Sequence, residues 1–267
     1  MPTDRIMLWE SRPPASSPAS DFLPYLECLP APLTERKPPR GAVLVCPGGG
    51  YANRAAHEQH PIAERYRDAG FHAFVLQYRV HPNLHPAPLL DVSRAVRLIR
   101  HNANRWGLNP QRIAVCGFSA GGHLTASLGV HYGLDVLNVG DALDSVSCRP
   151  DALILSYAVL STKAFRHEGS FSNLLGPDPD PALFALMSLE DHVTPETPPA
   201  FLWHTADDPV VPVANSLIFA QALSHNRVPF ELHIYPSGPH GLGLAPNTPH
   251  IATWLDLSAE WLDGMGW

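Results

Sequence analysis

From residue 41 onward the chain alternates short apolar runs with segments of helical periodicity, and this alternation limits its fold more than any other feature. GAVLVC (41–46), FHAFVLQY (71–78), RIAVC (112–116), DALILSY (151–157), AFLWHT (200–205) and FELHIYP (230–236) are strand-like. The continuous runs among them suit strands buried on both faces of a sheet. Between them, 60–70 carries Ile62, Ala63, Tyr66 and Ala69 at helical spacing, and 88–107 puts Val92, Ala95, Val96 and Ile99 on one stripe. Helices are also expected over 120–133, 213–226 and 248–265, the last with Ile251, Trp254, Leu255 and Leu262 on one side. Strands alternating with helices predict an α/β fold, a mostly parallel sheet covered on both faces. Functional groups in such sheets gather at the carboxyl ends of the strands.

Residues 158–198 break the rhythm, being rich in Ser, Pro, Asp and aromatic residues around one helix-like piece, ALFALMSL (182–189). They read as a small cap-like insertion within one domain spanning 1–267. A hydrophobic content of 45% supports a sizeable core. The 29 prolines gather at 12–39, 81–88, 177–199 and 236–249, which read as loops. Eighteen basic against 25 acidic residues leave a net charge of −7, and the densest basic stretch is only ERKPPR (35–40). That balance disfavours nucleic acid and anionic membrane as partners. The first residues lack the apolar run of a signal peptide, so a cytoplasmic location is expected. Cys28, Cys46, Cys116 and Cys148 lie far apart, and Cys46 and Cys116 sit in strand-like runs as core thiols.

One apolar run ends in AVCGFSAGGH (114–123), where Gly117 and Gly121 flank Ser119 in a G-x-S-x-G pattern. This pattern can be a plain strand-to-helix turn or an elbow that presents a nucleophile. A serine hydroxyl needs a base and a group that orients the base. Asp207 and Asp208 follow AFLWHT, and His240 follows FELHIYP, so an acid and a base stand at successive strand ends in serine–acid–histidine order. Taken singly, either aspartate could be a turn or helix-cap residue, and His240 a loop histidine. Cys46-Pro47-Gly48-Gly49-Gly50-Tyr51 closes the first run, and its glycines let backbone N–H groups approach a ligand. Gly49, Gly50 and Ala120 are therefore the expected oxyanion donors. His57-Glu58-Gln59-His60 is one residue short of H-E-x-x-H, and His81 and His85 lie in a proline-locked loop. No metal site and no cofactor is expected.

PGGGY, RIAVCGFSAGGH, HTADDPVVPVANS and ELHIYPSGPHGLGLA together resemble bacterial α/β-hydrolases of the acetyl-esterase and acetylxylan-esterase type. That group is related to bifunctional acetyl/feruloyl esterases and, more distantly, to hormone-sensitive-lipase-like esterases. The resemblance covers roughly residues 5 to 265, including the opening Ile6-Met7-Leu8-Trp9. It implies an α/β-hydrolase fold with Ser119 as nucleophile, His240 as base and Asp208, before the Val-Pro pair at Pro212, as acid. Pro47 replaces the histidine of the hormone-sensitive-lipase H-G-G-G, so the oxyanion loop differs from that branch. The function implied is hydrolysis of short acyl esters, acetyl foremost, from sugars or xylo-oligosaccharides. The partner is then a small-molecule or oligosaccharide ester, and assembly as a homo-oligomer stays open. A serine peptidase of the prolyl-oligopeptidase type shares the elbow and triad order but carries several hundred further residues. A non-catalytic binding protein on the same fold would not need all three triad residues.

Overall fold

The computed structural model describes residues 4–31 and 41–267, which leaves ERKPPR outside the described residues. Eight strands form one sheet: β1 (Asp4–Met7), β2 (Tyr25–Leu29), β3 (Ala42–Cys46), β4 (His72–Gln77), β5 (Ile113–Phe118), β6 (Ala152–Ser156), β7 (Ala200–Thr205) and β8 (Phe230–Tyr235). Their spatial order is β1-β2-β4-β3-β5-β6-β7-β8. From β4 through β8 every neighbour is parallel, whereas β1 and β2 add to that edge antiparallel. The six apolar runs of the sequence are these six parallel strands. Every residue of β3 to β7 is buried, as continuous apolar runs in a sheet covered on both faces must be.

The helices are α1 (His60–Asp68), α2 (Ala87–His101), α3 (Ala103–Trp106), α4 (Ser119–His131), α5 (Glu168–Leu175), α6 (Pro181–Leu186), α7 (Ala214–His225), α8 (Pro249–Ala252) and α9 (Trp254–Gly264). Strand residues alternate between two sides. Leu44 and Val115 pack with the apolar stripes of α2 and α4. Val43, Val45 and Cys116 pack with α1 and α9 on the opposite face. Farther along the first side, Leu153 and Leu202 meet Phe219 and Leu223 of α7. Val92, Ala95, Val96 and Ile99 are all fully buried, as their spacing requires.

Several boundaries differ from the periodicity. The segment 88–107 divides into α2 and α3 at Asn102, whose side-chain amide donates to the Leu98 carbonyl at 2.9 Å. The closing helix divides at Thr253, where the hydroxyl donates to the His250 carbonyl at 2.7 Å. β2 lies within a stretch that its prolines mark as loop; it spans five residues, with Pro24 and Pro30 immediately outside it. Residues 158–198 contribute two short helices, α5 and α6, between β6 and β7. All four cysteines are buried, and none forms a disulfide. Burial pushes the Cys46 thiol up to about 12, as expected of a structural rather than a reactive thiol.

One buried ion pair ties the N-terminal segment to the sheet. Arg79, just after β4, and Asp91 of α2 are both fully buried, and the guanidinium reaches Asp91 Oδ1 at 2.7 Å. Arg79 also donates to the carbonyls of Pro14 and Ala87, and Trp9 Nε1 donates to Asp91 at 3.1 Å. Burial pushes the Asp91 carboxyl up, and the bonds from Arg79 oppose that shift. Removing one member of a buried pair strands the other charge. Arg79→Met is therefore expected to destabilise the protein by about 3–5 kcal/mol, read as a lower urea midpoint at unchanged m-value.

Candidate active site

Ser119 is the first residue of α4, directly after β5, and it holds φ +51°. L-residues other than glycine rarely adopt that left-handed conformation, and the turn lifts the side chain off the strand end. Neither Gly117 nor Gly121 has a positive φ, so the flanking glycines are not there for backbone angle. They are there for space. A Cβ on Gly117 would collide with the Gly121 carbonyl and Thr125 Oγ1, and one on Gly121 with the carbonyls of Cys46 and Pro47. The start of α4 thus lies directly on β5 and on the loop after β3.

Ser119, His240 and Asp208 come together from three strand ends. His240 Nε2 lies 2.9 Å from Ser119 Oγ, and His240 Nδ1 lies 2.7 Å from Asp208 Oδ2. An ionised carboxylate only accepts, so Nδ1 carries the proton and Nε2 presents its lone pair to the serine hydroxyl. Asp208 is buried, and its Oδ1 accepts the N–H groups of Val210 and Val211, each at 2.9 Å. Burial pushes its carboxyl up, but bonds from His204, His240 and those two N–H groups outweigh burial and hold it well below the usual carboxylate range. Asp207 is the neighbour the site does not use. It is exposed and accepts Ser237 Oγ at 2.7 Å and Gly238 N–H at 2.8 Å, bracing the loop that carries His240.

Two histidines near the triad escaped the sequence reading. His204 on β7 is fully buried, with Nε2 at 2.9 Å from the Val211 carbonyl and 3.4 Å from Asp208 Oδ2. The only signal for it is a histidine four residues ahead of the acid. His167 caps α5, its Nδ1 accepting from Ser170 N–H at 3.3 Å. Burial and the neighbouring His240 push its ring below the ordinary histidine value.

The glycine loop 47–51 adjoins the nucleophile, since a Cβ on Gly48 would stand 3.0 Å from Ser119 Cβ. Gly49 and Gly50 hold φ +124° and +61°, conformations that favour glycine. Gly48 N–H is taken by Glu58 Oε2 at 2.7 Å, whereas the N–H groups of Gly49 and Gly50 meet no acceptor among the described residues. Ala120 sits in the first turn of α4, where helical geometry gives an N–H no intrahelical acceptor. The remaining histidines diverge. His57 Nε2 reaches the Gly241 carbonyl at 2.8 Å, while His60 turns away to Glu27 at 3.1 Å. Among the described residues no cluster of three His, Cys, Asp or Glu side chains could hold a metal ion, and no helix is long and apolar enough to cross a membrane. Tyr51, Phe118, Phe171 and Trp203 are core residues, whereas Phe165 is exposed.

A mostly parallel sheet with a serine elbow after β5, and an acid and a histidine after β7 and β8, defines an α/β-hydrolase. More narrowly, the chain belongs to the BD-FAE family, whose model matches residues 31–223 and so ends before β8 and His240. It is 41% identical over 219 residues to endo-1,4-beta-xylanase B of Butyrivibrio fibrisolvens, covering 80% of this chain and 34% of that protein. It is 31% identical over 231 residues to an acetylxylan esterase of Xylanibacter ruminicola, covering 84% of this chain and 44% of the relative. The chain thus spans well under half the length of these curated relatives. The crystal structure of an acetyl ester-xyloside bifunctional hydrolase from Caldicellulosiruptor lactoaceticus superposes with a TM-score of 0.93 at 46% identity, covering 99% of this chain and 97% of that one. By fold and by relatives the chain groups with carboxylic ester hydrolases.

A buried histidine joins the insertion to the glycine loop. His123 of α4 donates from Nε2 to the Met187 carbonyl at 3.2 Å, so Nδ1 accepts the Tyr51 hydroxyl at 2.9 Å. His131, two turns on, contacts the Leu186 carbonyl at 2.9 Å. Burial first, then the nearby His131 and His85, push His123 down to about 4. The unfolded chain therefore takes up this proton first as the pH falls. The stability His123 contributes is fully present above its ordinary value near 6.5 and is lost as the pH drops toward 4. His123 is expected to account for a loss on the order of 3 kcal/mol of unfolding free energy across that window, read as the difference in pH dependence of urea unfolding between wild type and His123→Gln.

Proposed function

We propose that this protein is a serine carboxylesterase that removes short acyl groups, acetyl foremost, from sugars or xylo-oligosaccharides. The observation that carries this reading is the unbroken hydrogen-bond chain from Ser119 Oγ through His240 to the buried Asp208. In the reaction, His240 Nε2 takes the Ser119 proton as Oγ attacks the ester carbonyl. The negative charge that develops on the carbonyl oxygen is met by the N–H groups of Gly49, Gly50 and Ala120, and Asp208 steadies the imidazolium. His240 then protonates the leaving alcohol, and water repeats the cycle on the acyl-enzyme. No cofactor enters.

Acetyl preference is supported by the similarity to an acetylxylan esterase and to an acetyl ester-xyloside hydrolase, and by the insertion. Phe171, Leu174 and Leu175 of α5 turn into the core rather than forming an apolar trough for a long acyl chain. We read 1–267 as one α/β-hydrolase domain with 158–198 as its small cap. Glycoside cleavage, which the name of one relative suggests, would need a carboxyl free to protonate the leaving oxygen. Asp208 and Glu58 are not free for that. Both oxygens of each already accept hydrogen bonds from the protein.

Hydrolysis of chromogenic esters from acetyl to octanoyl is expected to be fastest for acetyl. Ser119→Ala should lose about 10⁴-fold or more in kcat, and Asp208→Asn about 10⁴-fold by leaving His240 in the wrong tautomer. Turnover by Ser119→Ala at the wild-type rate would overturn the reading.

A further inference from the structure

The dipeptide His57-Glu58, which in the sequence only imitates a zinc motif, bridges two loops of the site. Glu58 closes a short helical turn, Ala56–Glu58, and is 2% exposed. Its Oε2 accepts the Gly48 N–H at 2.7 Å, and its Oε1 accepts the Tyr157 hydroxyl at 2.6 Å. Tyr157 follows β6, accepts the Gly243 N–H at 2.9 Å on its own oxygen, and packs its ring against His240 with centroids 5.0 Å apart. Next to Glu58, His57 donates from Nε2 to the Gly241 carbonyl at 2.8 Å, one residue after His240. A buried charge is costly unless hydrogen bonds compensate it, and here one oxygen is compensated by the glycine loop and the other by Tyr157, which in turn holds the His240 loop through Gly243.

We infer that Glu58 is a positioning residue. It holds the Gly48 peptide turned away from the nucleophile, so that the next N–H groups, of Gly49 and Gly50, stay unpaired for the oxyanion. Through Tyr157 it holds the His240 loop in register with that glycine loop. The inference rests on the esterase reading of Ser119. A carboxylate is required because two donors face it. In Glu58→Gln an NH₂ replaces one acceptor, and it confronts either Gly48 N–H, which can only donate, or the Tyr157 hydroxyl, whose proton then loses its acceptor.

Loss of an interaction made only in the transition state lowers kcat without raising KM, and a misplacement near 1 Å costs about 10²-fold. Three readouts on the full chain test the role: kcat and KM for an acetyl ester, the Kd of a trifluoromethyl ketone that fills the oxyanion site on Ser119, and the rate of labelling by a fluorophosphonate. Glu58→Gln is expected to lose about 10²-fold in kcat, with KM within about threefold and ketone affinity and labelling falling by the same factor. Tyr157→Phe, which removes one hydroxyl, should move all three the same way by a smaller factor. A Glu58→Gln protein with near-wild-type kcat and ketone affinity overturns the role. So does a kcat loss that only tracks a reduced folded fraction while ketone affinity holds. Should Glu58→Gln fail to fold, Tyr157→Phe decides: a kcat loss with KM unchanged supports the role, and unchanged kcat overturns it. A wild type inert to both ester and phosphonate overturns the esterase reading and this role together, whereas an active wild type matched by Glu58→Gln overturns the role alone.

Discussion

The site depends on how closely α4 can lie on the carboxyl end of the sheet. Gly121 removes a Cβ that would strike the carbonyls of Cys46 and Pro47, and Gly117 one that would strike the Gly121 carbonyl and Thr125 of the helix. With that space available, the left-handed turn at Ser119 sets its hydroxyl beside the glycine loop and opposite the loop from β8. A larger residue at either glycine would push the helix outward. The contact is steric and backbone-to-backbone, so side-chain repacking cannot absorb the change.

Around this contact, polar groups are buried in pairs and chains that leave few alternatives. Asp208 receives His240 on one oxygen and two N–H groups on the other, with His204 behind it. Glu58 receives the glycine loop on one oxygen and, on the other, Tyr157, which carries the His240 loop. Arg79 and Asp91 bind the N-terminal segment to the loop after β4 and to α2 through Trp9, Pro14 and Ser16. In a low-dielectric interior each such group holds its partners in one arrangement, because any other leaves a charge unpaired.

The parallel core was legible in the sequence because strands buried on both faces must be mostly apolar, and β3 to β7 are, with their polar residues at or near the strand ends. β2 was not, since YLECL carries the buried Glu27 mid-strand, is bounded by prolines, and pairs with β4 some fifty positions along the chain. α5 was hidden among serines and a histidine cap. At the site, Ser119, Asp208 and His240 were readable from strand-end position and chemistry, and the choice of Asp208 over Asp207 needed the family resemblance. Burial now gives that choice a physical basis, with Asp207 exposed on Ser237 and Asp208 buried on His240. His204, Glu58 and Tyr157 were unreadable. Their roles arise only when β3, β5, β6, β7 and β8 lie side by side.

The names of the relatives point to two chemistries, xylan backbone cleavage and deacetylation, and the carboxylates of this chain bear on the choice. A glycosidase needs two carboxyl groups facing one bond, one of them free to give up a proton. Here Asp208 is held ionised by four donors and faces a histidine, and Glu58 is turned inward between two loops. Both act on the protein rather than on a ligand. In the reaction we propose, the groups left to meet a substrate are the Ser119 hydroxyl, the His240 imidazole and the N–H groups of the glycine loop, which is the equipment of acyl transfer.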